Sequence, residues 1–354
     1  MREIRILGAG VSGLTSAINL SKSGYKTTVF DRAGDSGTRF GGDLQGLENW
    51  SSDTNVVDEL KQSGVKINFD CDPFRKVILT DGKEEARVTF KSPIFYLVKR
   101  GAFDGTLDNA LKQQALDAGA DLRYKEKPAA PIDIFATGPE SKRVLGVDKG
   151  IVFETDMEDT AVALADIDAG YMGYSYLLVT KGYGCVCSAI TKDLGMINKC
   201  FTSTLKIFEK MYGLEVRRPR KVGGVATFNY RGKLVDNGKL YVGEAAGLQD
   251  FLWGFGIRSA IVSGYLASES ISKGLDYKKL IEKRYRGYIR SAVVNRFLWE
   301  KFGKRGYGEM IKKVKSVEDP DRLFHKLYSY TTAHKIVFPF ARMMLKPHYP
   351  RAGF

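Results

Sequence analysis

Apolar and polar positions along the chain follow two different periods, and the switches between them mark out its elements. Glu3–Leu7 is a short apolar run that leads straight into Gly8-Ala-Gly10-Val-Ser-Gly13. From Val11 to Ser23, Leu14, Ala17, Ile18 and Leu20 share one face of a helical period, so the spacing predicts a helix that Gly24 stops. Lys26–Phe30 then reads as a strand that ends at Asp31. Strand, crossover helix and strand within about 30 residues make a βαβ unit with parallel strands. Further strands are expected at Val65–Phe69, Arg75–Leu79 and Arg87–Lys91, the last two joined by a turn at Asp81-Gly82. Phe103–Ala118 reads as a helix and Asp121–Tyr124 and Ile132–Phe135 as strands. Ile151–Glu154, Thr160–Ala165, Ser175–Thr180 and Gly184–Ile190 are β-branched and aromatic, which suits an antiparallel sheet. A helix at Lys199–Met211, a strand at Lys239–Val242 and a helix at Gly256–Ser272 follow, and beyond Gly274 the pattern is helical, basic and aromatic. The Rossmann-like pieces lie at both ends of the first 275 residues, with the sheet-forming pieces inserted between them.

The glycine loop carries the first chemistry. In such a loop Gly8 permits the tight turn, Gly10 lets a pyrophosphate approach the backbone, and Gly13 lets the helix pack on the strand. The N–H groups at Val11 and Ser12 open the helix and offer its positive end to phosphate. Asp31, with Arg32 beside it, falls where a carboxylate takes ribose hydroxyls. A second segment looks made for the same ligand: Gly243-Glu244-Ala-Ala-Gly247, then Gly254-Phe255-Gly256-Ile257. The Glu244 carboxylate suits ribityl or ribose hydroxyls, and the N–H groups of Gly254–Ile257 suit a flavin carbonyl or the pyrophosphate. Two such segments favour an extended dinucleotide, FAD, over NAD.

Composition narrows the class without naming a reaction. At 354 residues, with 44% apolar and 27% charged residues, the chain has material for a large core and more than one domain. Cys71, Cys185, Cys187 and Cys200 lack paired metal spacing, and Cys185 and Cys187, alternating on one strand, read as structural thiols. With no secretory signal, the expected location is cytoplasmic, with peripheral membrane association open. Net charge is +14, and Asp276–Phe354, with 19 basic and 7 acidic residues, supplies +12 of it. Localised charge of this kind suits an anionic membrane surface, an acidic electron carrier, or a solvated helical face. Its clusters are Lys278-Lys279, Lys283-Arg284, Lys304-Arg305 and Lys312-Lys313-Val-Lys315, interleaved with Tyr285, Phe297 and Trp299. No nucleic-acid-binding module is present in the sequence, and nucleic acid is not an expected partner.

These segments resemble the FAD-dependent superfamily that contains p-hydroxybenzoate hydroxylase and, more closely, the geranylgeranyl reductases of archaea and bacteria. Gly243–Gly247 is similar to that family's G-D-A-A-G, with Glu244 for the Asp. Arg100 matches the family arginine near the flavin, and Arg39-Phe40-Gly41-Gly42 falls where members place a loop near the ring, or is a plain surface turn. Thr137-Gly138 stands where the hydroxylases carry Asp-Gly, an acid that helps them hold FAD and NADPH. Its loss implies a donor other than NADPH, and an acidic carrier would suit the basic surface. Tyr174-Ser-Tyr176-Leu-Leu178-Val179 is similar to the Y-x-W-x-F-P stretch that lines the prenyl pocket of geranylgeranyl reductases, with Tyr176, Leu178 and Val179 in place of Trp, Phe and Pro.

The resemblance implies an α/β protein: an interrupted Rossmann-like FAD-binding domain in three parts (1–63, 99–148, 231–275), an inserted antiparallel β-sheet catalytic domain (64–98, 149–230), and a basic helical C-terminal region (276–354). The implied activity is saturation of C=C bonds in a polyprenyl chain, of a lipid or a prenyl diphosphate, with Tyr174, Tyr176, Leu178 and Phe255 walling an apolar pocket. A monooxygenase or halogenase of the same superfamily, or a non-enzymatic flavoprotein at a membrane surface, remain alternatives. A halogenase would carry a W-x-W-x-I-P segment with a nearby lysine, and that segment is absent.

Overall fold

A computed structural model describes residues 2–303 and 306–354. The Lys304-Arg305 cluster lies outside the described residues. The first sheet runs Val235–Asp236, Lys239–Tyr241, Ile134–Phe135, Glu3–Leu7, Lys26–Asp31, Asp121–Tyr124. All its pairings are parallel except the hairpin at Val235–Tyr241. The strand order reverses at Glu3–Leu7, between the chain-adjacent Lys26–Asp31 and the distant Ile134–Phe135. A crevice opens past the carboxyl ends of parallel strands at such a point. Helix Val11–Lys22 packs there against helices Leu107–Asp117 and Ile257–Lys273. Ser16 Oγ donates to Gly264 O at 3.0 Å across the second of these contacts.

A seven-stranded sheet faces this layer, ordered Arg217–Thr227, Val144–Glu154, Tyr183–Ile190, Tyr174–Thr180, Thr160–Leu164, Lys76–Thr80, Glu85–Thr89. It is antiparallel except where Thr160–Leu164 runs beside Lys76–Thr80. Alternation sorts its side chains onto two faces. Leu177, Val179 and Val186 turn outward under Phe201 and Phe208 of helix Ile197–Tyr212. The other face carries cross-strand rows set by register: Gly224–Asp148–Ala189–Tyr174, then Gly150–Cys187–Tyr176–Ala163–Leu79, then Val152–Cys185–Leu178–Ala161. A small antiparallel sheet, Leu44–Glu48, Phe95–Lys99, Cys71–Phe74, bridges the two layers. Helices Tyr277–Gly303, Gly308–Lys315, Pro320–Tyr328 and Thr332–Leu345 form the C-terminal region.

The expected strand Val65–Phe69 does not form. Val65 N donates to Leu60 O at 3.0 Å, which closes helix Val56–Gln62, and pairing starts only at Cys71. Tyr285, Phe297 and Trp299, the aromatics interleaved with the basic clusters, are all buried in the core and so are not offered to a membrane surface. Among the described residues the four cysteines are free thiols, with the Cys185 and Cys187 sulfurs 3.9 Å apart.

Candidate functional site

Between the two large sheets lies a cleft of about 900 Å³, near the upper end for small-molecule sites. Its first half is made of backbone. Gly8, Gly10, Val11 and Ser12 line one wall, Thr137 and Gly138 another, and Gly254, Phe255, Gly256 and Ile257 a third. Two helices begin at this floor, Val11–Lys22 after Gly10 and Ile257–Lys273 after Gly256, and neither N-terminus is capped by a side chain. Their free N–H groups and positive dipole ends converge on one space. A buried ion-pair cluster fixes the second helix: Arg258, in its first turn, pairs with Glu48 and Glu59, and Glu59 also takes Arg284.

Carboxylates at the rim are partly committed. Asp31 accepts from Ala9 N at 2.7 Å and from Ala33 N at 2.8 Å, so it braces the glycine loop as it lines the cleft. Glu244 Oε1 accepts from Thr227 N at 2.8 Å and Thr227 Oγ1 at 3.0 Å, which leaves Oε2 for a ligand. Burial raises the Glu244 pKa, opposed by the Thr227 bonds and the charge of Arg39.

Where the halves meet, two guanidiniums lie close to the ring of Phe40, Arg39 at 4.6 Å and Arg100 at 4.0 Å from its centroid. Arg100 makes a two-point bond to Asp108, both contacts 2.8 Å, and a third to Gln45 Oε1 at 2.6 Å. Three of its five N–H donors are therefore committed to the protein, which fixes its charge at the edge of the cleft. Arg39 has no carboxylate bonded to it among the described residues. Asp148 faces it from the sheet, with Asp43 close by. Burial and then the charge of Asp43 push Asp148 up to about 6, against the pull of Arg39.

The second half is apolar, walled by Trp50, Phe90, Leu97, Tyr176, Leu178, Phe255 and Phe324. Phe255 meets Trp50 edge-on at 4.7 Å. Tyr174 Oη donates to Trp253 O at 2.6 Å, so its hydroxyl is spent on holding the Gly254 loop. Burial raises the pKa of Tyr176 well above the usual tyrosine value.

Most residues singled out in the sequence come together here, but five have another place. Gly13, Gly243 and Gly247 sit behind the lining, where helix and turn pack closely. Gly41 and Gly42, read either as part of a loop near the ring or as a surface turn, do not themselves line the cleft, although Arg39, Phe40 and Asp43 beside them do. Gly41 packs on Val222, and Gly42 lies under Tyr183, whose hydroxyl donates to Gly42 O at 2.9 Å. Arg39 and Phe40, from the loop expected near the ring, line the cleft, whereas the sequence reading missed Asp108 and Asp148.

Residues 6–44 match the family described as an NAD(P)-binding Rossmann-like domain. No curated protein matches the sequence. Among solved structures, a geranylgeranyl bacteriochlorophyll reductase-like protein from Thermoplasma acidophilum superposes with TM-score 0.68 at 16% identity, over 98% of this chain and 99% of its own. The flavin-dependent brominase Bmp2 gives 0.64 at 15%, over 98% of each chain. A flavoprotein/dehydrogenase from Cytophaga hutchinsonii gives 0.64 at 14%, over 98% and 99%. The fold is the one these structures share: a Rossmann-like nucleotide layer, a facing antiparallel sheet and a helical C-terminal region.

The residues present fit FAD. A Cβ placed on Gly10 would meet nothing within 4 Å, so the backbone there borders open space at a helix N-terminus. The free Glu244 Oε2 and the unpaired Arg39 stand farther along the same cleft.

Proposed function

We propose that this protein is an FAD-dependent reductase that saturates isolated C=C bonds of a polyprenyl chain. The observation that carries the reading is the apolar half of the cleft, which opens directly onto the dinucleotide half and is lined there by aromatic and aliphatic side chains. Reduced FAD supplies a hydride to such a bond, and the other carbon takes a proton. The protein's part is to hold the alkene in a dry slot, to bind the dinucleotide and to deliver that proton. Tyr176, Leu178 and Phe255 wall the slot. Asp148 is the proton donor in this reading: its carboxyl lines the cleft from the strand next to the edge of the sheet, and burial raises its pKa to about 6, nearer to neutral pH than an ordinary carboxyl. Thr137, in place of an acid, leaves the choice of electron donor to an acidic carrier rather than to NADPH.

The similarity to a brominase makes a halogenase the second reading. Against it, no lysine lines the cleft among the described residues. The deciding experiment is single turnover. Photoreduced, FAD-loaded protein is mixed anaerobically with a geranylgeranyl lipid, and the product is weighed. A gain of two hydrogens supports the reductase. Hydroxylated product that forms only with O₂, or halogenated product that forms only with O₂ and halide, would replace it, and bound FAD with no product from either regime would leave a binding protein.

A further inference from the structure

The basic C-terminal region has one outward face that its own core does not explain. In helix Thr332–Leu345 the buried residues Phe338, Ala341 and Leu345 point into the protein and pack on helix Tyr277–Gly303. On the opposite side, at three- and four-residue spacing, Ile336, Phe340 and Met343 are 73%, 49% and 61% exposed. Phe340 meets Phe297 edge-on at 5.4 Å, and Leu298, next in the chain, is also exposed, so the apolar strip continues onto the neighbouring helix. Lys335 and Lys346 are exposed along one flank of the strip, and Lys301 lies over Phe297 at 5.5 Å. Beyond Asp321 the chain has six cations (Arg322, Lys326, Lys335, Arg342, Lys346, Arg351) and no acidic side chain.

We propose that Ile336, Phe340, Met343 and Leu298 form a surface that docks on an anionic lipid bilayer, with Lys335, Lys346 and Lys301 against the headgroups. An apolar strip with a cationic flank and no carboxylate is the chemistry of an amphipathic helix lying in a membrane interface. Among the described residues no helix is long and apolar enough to cross a membrane, so the association is in-plane and reversible. A protein partner could use the same apolar side chains, but it would have to set acidic groups opposite the Lys335–Lys346 flank. A second copy of this chain would bring its own cations face to face with these. The inference is independent of the reductase reading, because it concerns only where the protein sits.

The test is flotation of the full, FAD-loaded chain with vesicles of phosphatidylcholine alone or with about a third phosphatidylglycerol. Binding is expected only to the anionic vesicles and falls as salt is raised. The triple variant Ile336→Gln, Phe340→Gln, Met343→Gln loses about a hundredfold in partition. Lys335→Gln with Lys346→Gln loses about tenfold. Lys312→Gln, Lys313→Gln, Lys315→Gln, on the separate helix Gly308–Lys315, stays within about threefold of wild type. Because the changed residues are exposed, flavin content and melting temperature should stay at wild-type values, which shows that the variants fold. Three results would each overturn the proposal: binding of the apolar triple variant equal to wild type, absence of binding to anionic vesicles, or a lipid-free dimer that the triple variant dissolves.

Discussion

The three glycines of the first loop should fail in different ways when substituted, and the difference can be worked out from their surroundings. Gly10 has φ −87°, open to any residue, and a Cβ there meets no atom within 4 Å. Gly10→Val should leave the empty fold intact or stabilise it by about 0.4–1 kcal/mol, since a side chain restricts the unfolded chain. The new side chain instead fills the space that a pyrophosphate needs beside the N–H groups of Val11 and Ser12. Loss of two charge-assisted bonds of about 1.5–3 kcal/mol each weakens FAD binding by about 10²–10⁴. At Gly13, by contrast, a Cβ would lie 1.9 Å from Gly8 O, backbone against backbone, with no flexible end to give way. Gly13→Ala should cost about 1–3 kcal/mol or more as overpacking, a melting-temperature drop of about 2–4 °C per kcal/mol. The assay pairs melting of flavin-stripped protein with FAD titration by fluorescence quenching. Wild-type FAD affinity in Gly10→Val, or a melting temperature as low as that of Gly13→Ala, would refute the reasoning.

Three further outcomes are expected. Asp148→Asn should keep flavin but lose at least tenfold in single-turnover rate. In wild type that rate should fall as pH rises through about 6, because a donor must hold its proton, and the variant should show no such fall. Glu244→Ala should weaken FAD retention about tenfold or more and also destabilise, since it strands Thr227 N, whereas Glu244→Gln keeps that bond and should lose retention alone, as read by flavin release on dilution. Asp108→Asn leaves the Arg100 guanidinium buried without its counter-charge, so denaturant unfolding should show a loss of about 3–5 kcal/mol.

How much of this was legible in the sequence depends on whether a residue's signal is local. Gly8–Gly13 and Asp31 announce themselves because turn, helix start and strand end lie within one βαβ unit. The hairpin on Asp81-Gly82 and the strand Asp121–Tyr124 were legible for the same reason. Strand Arg217–Thr227 was not, because it is an exposed edge without alternating burial. The Arg39–Phe40–Arg100 cluster joins a loop to the end of Phe95–Lys99, and no period in the chain records that meeting. Asp148 escaped because the strand was expected to begin at Ile151 but starts at Val144, where the pairing with Arg217–Thr227 sets in. Gly41 and Gly42 could be read two ways because glycine marks close approach without saying to what. Here the neighbours are Tyr183 and Val222.

The scattered origin of the nucleotide layer bears on how the chain comes off the ribosome. Glu3–Leu7 cannot complete its pairing until Ile134 has been made, and Ile134–Phe135 cannot complete its own until Leu240 has. Helix Val11–Lys22 waits longer still, for Gly264. For most of synthesis the apolar faces of the first βαβ unit therefore have no lasting partner, while the inserted sheet can close on itself. Slow, late consolidation of the amino-terminal unit follows from such long sequence separation. A nascent chain arrested before helix Ile257–Lys273 emerges should expose its first 30 residues to chaperones and proteases, and one arrested after it should not.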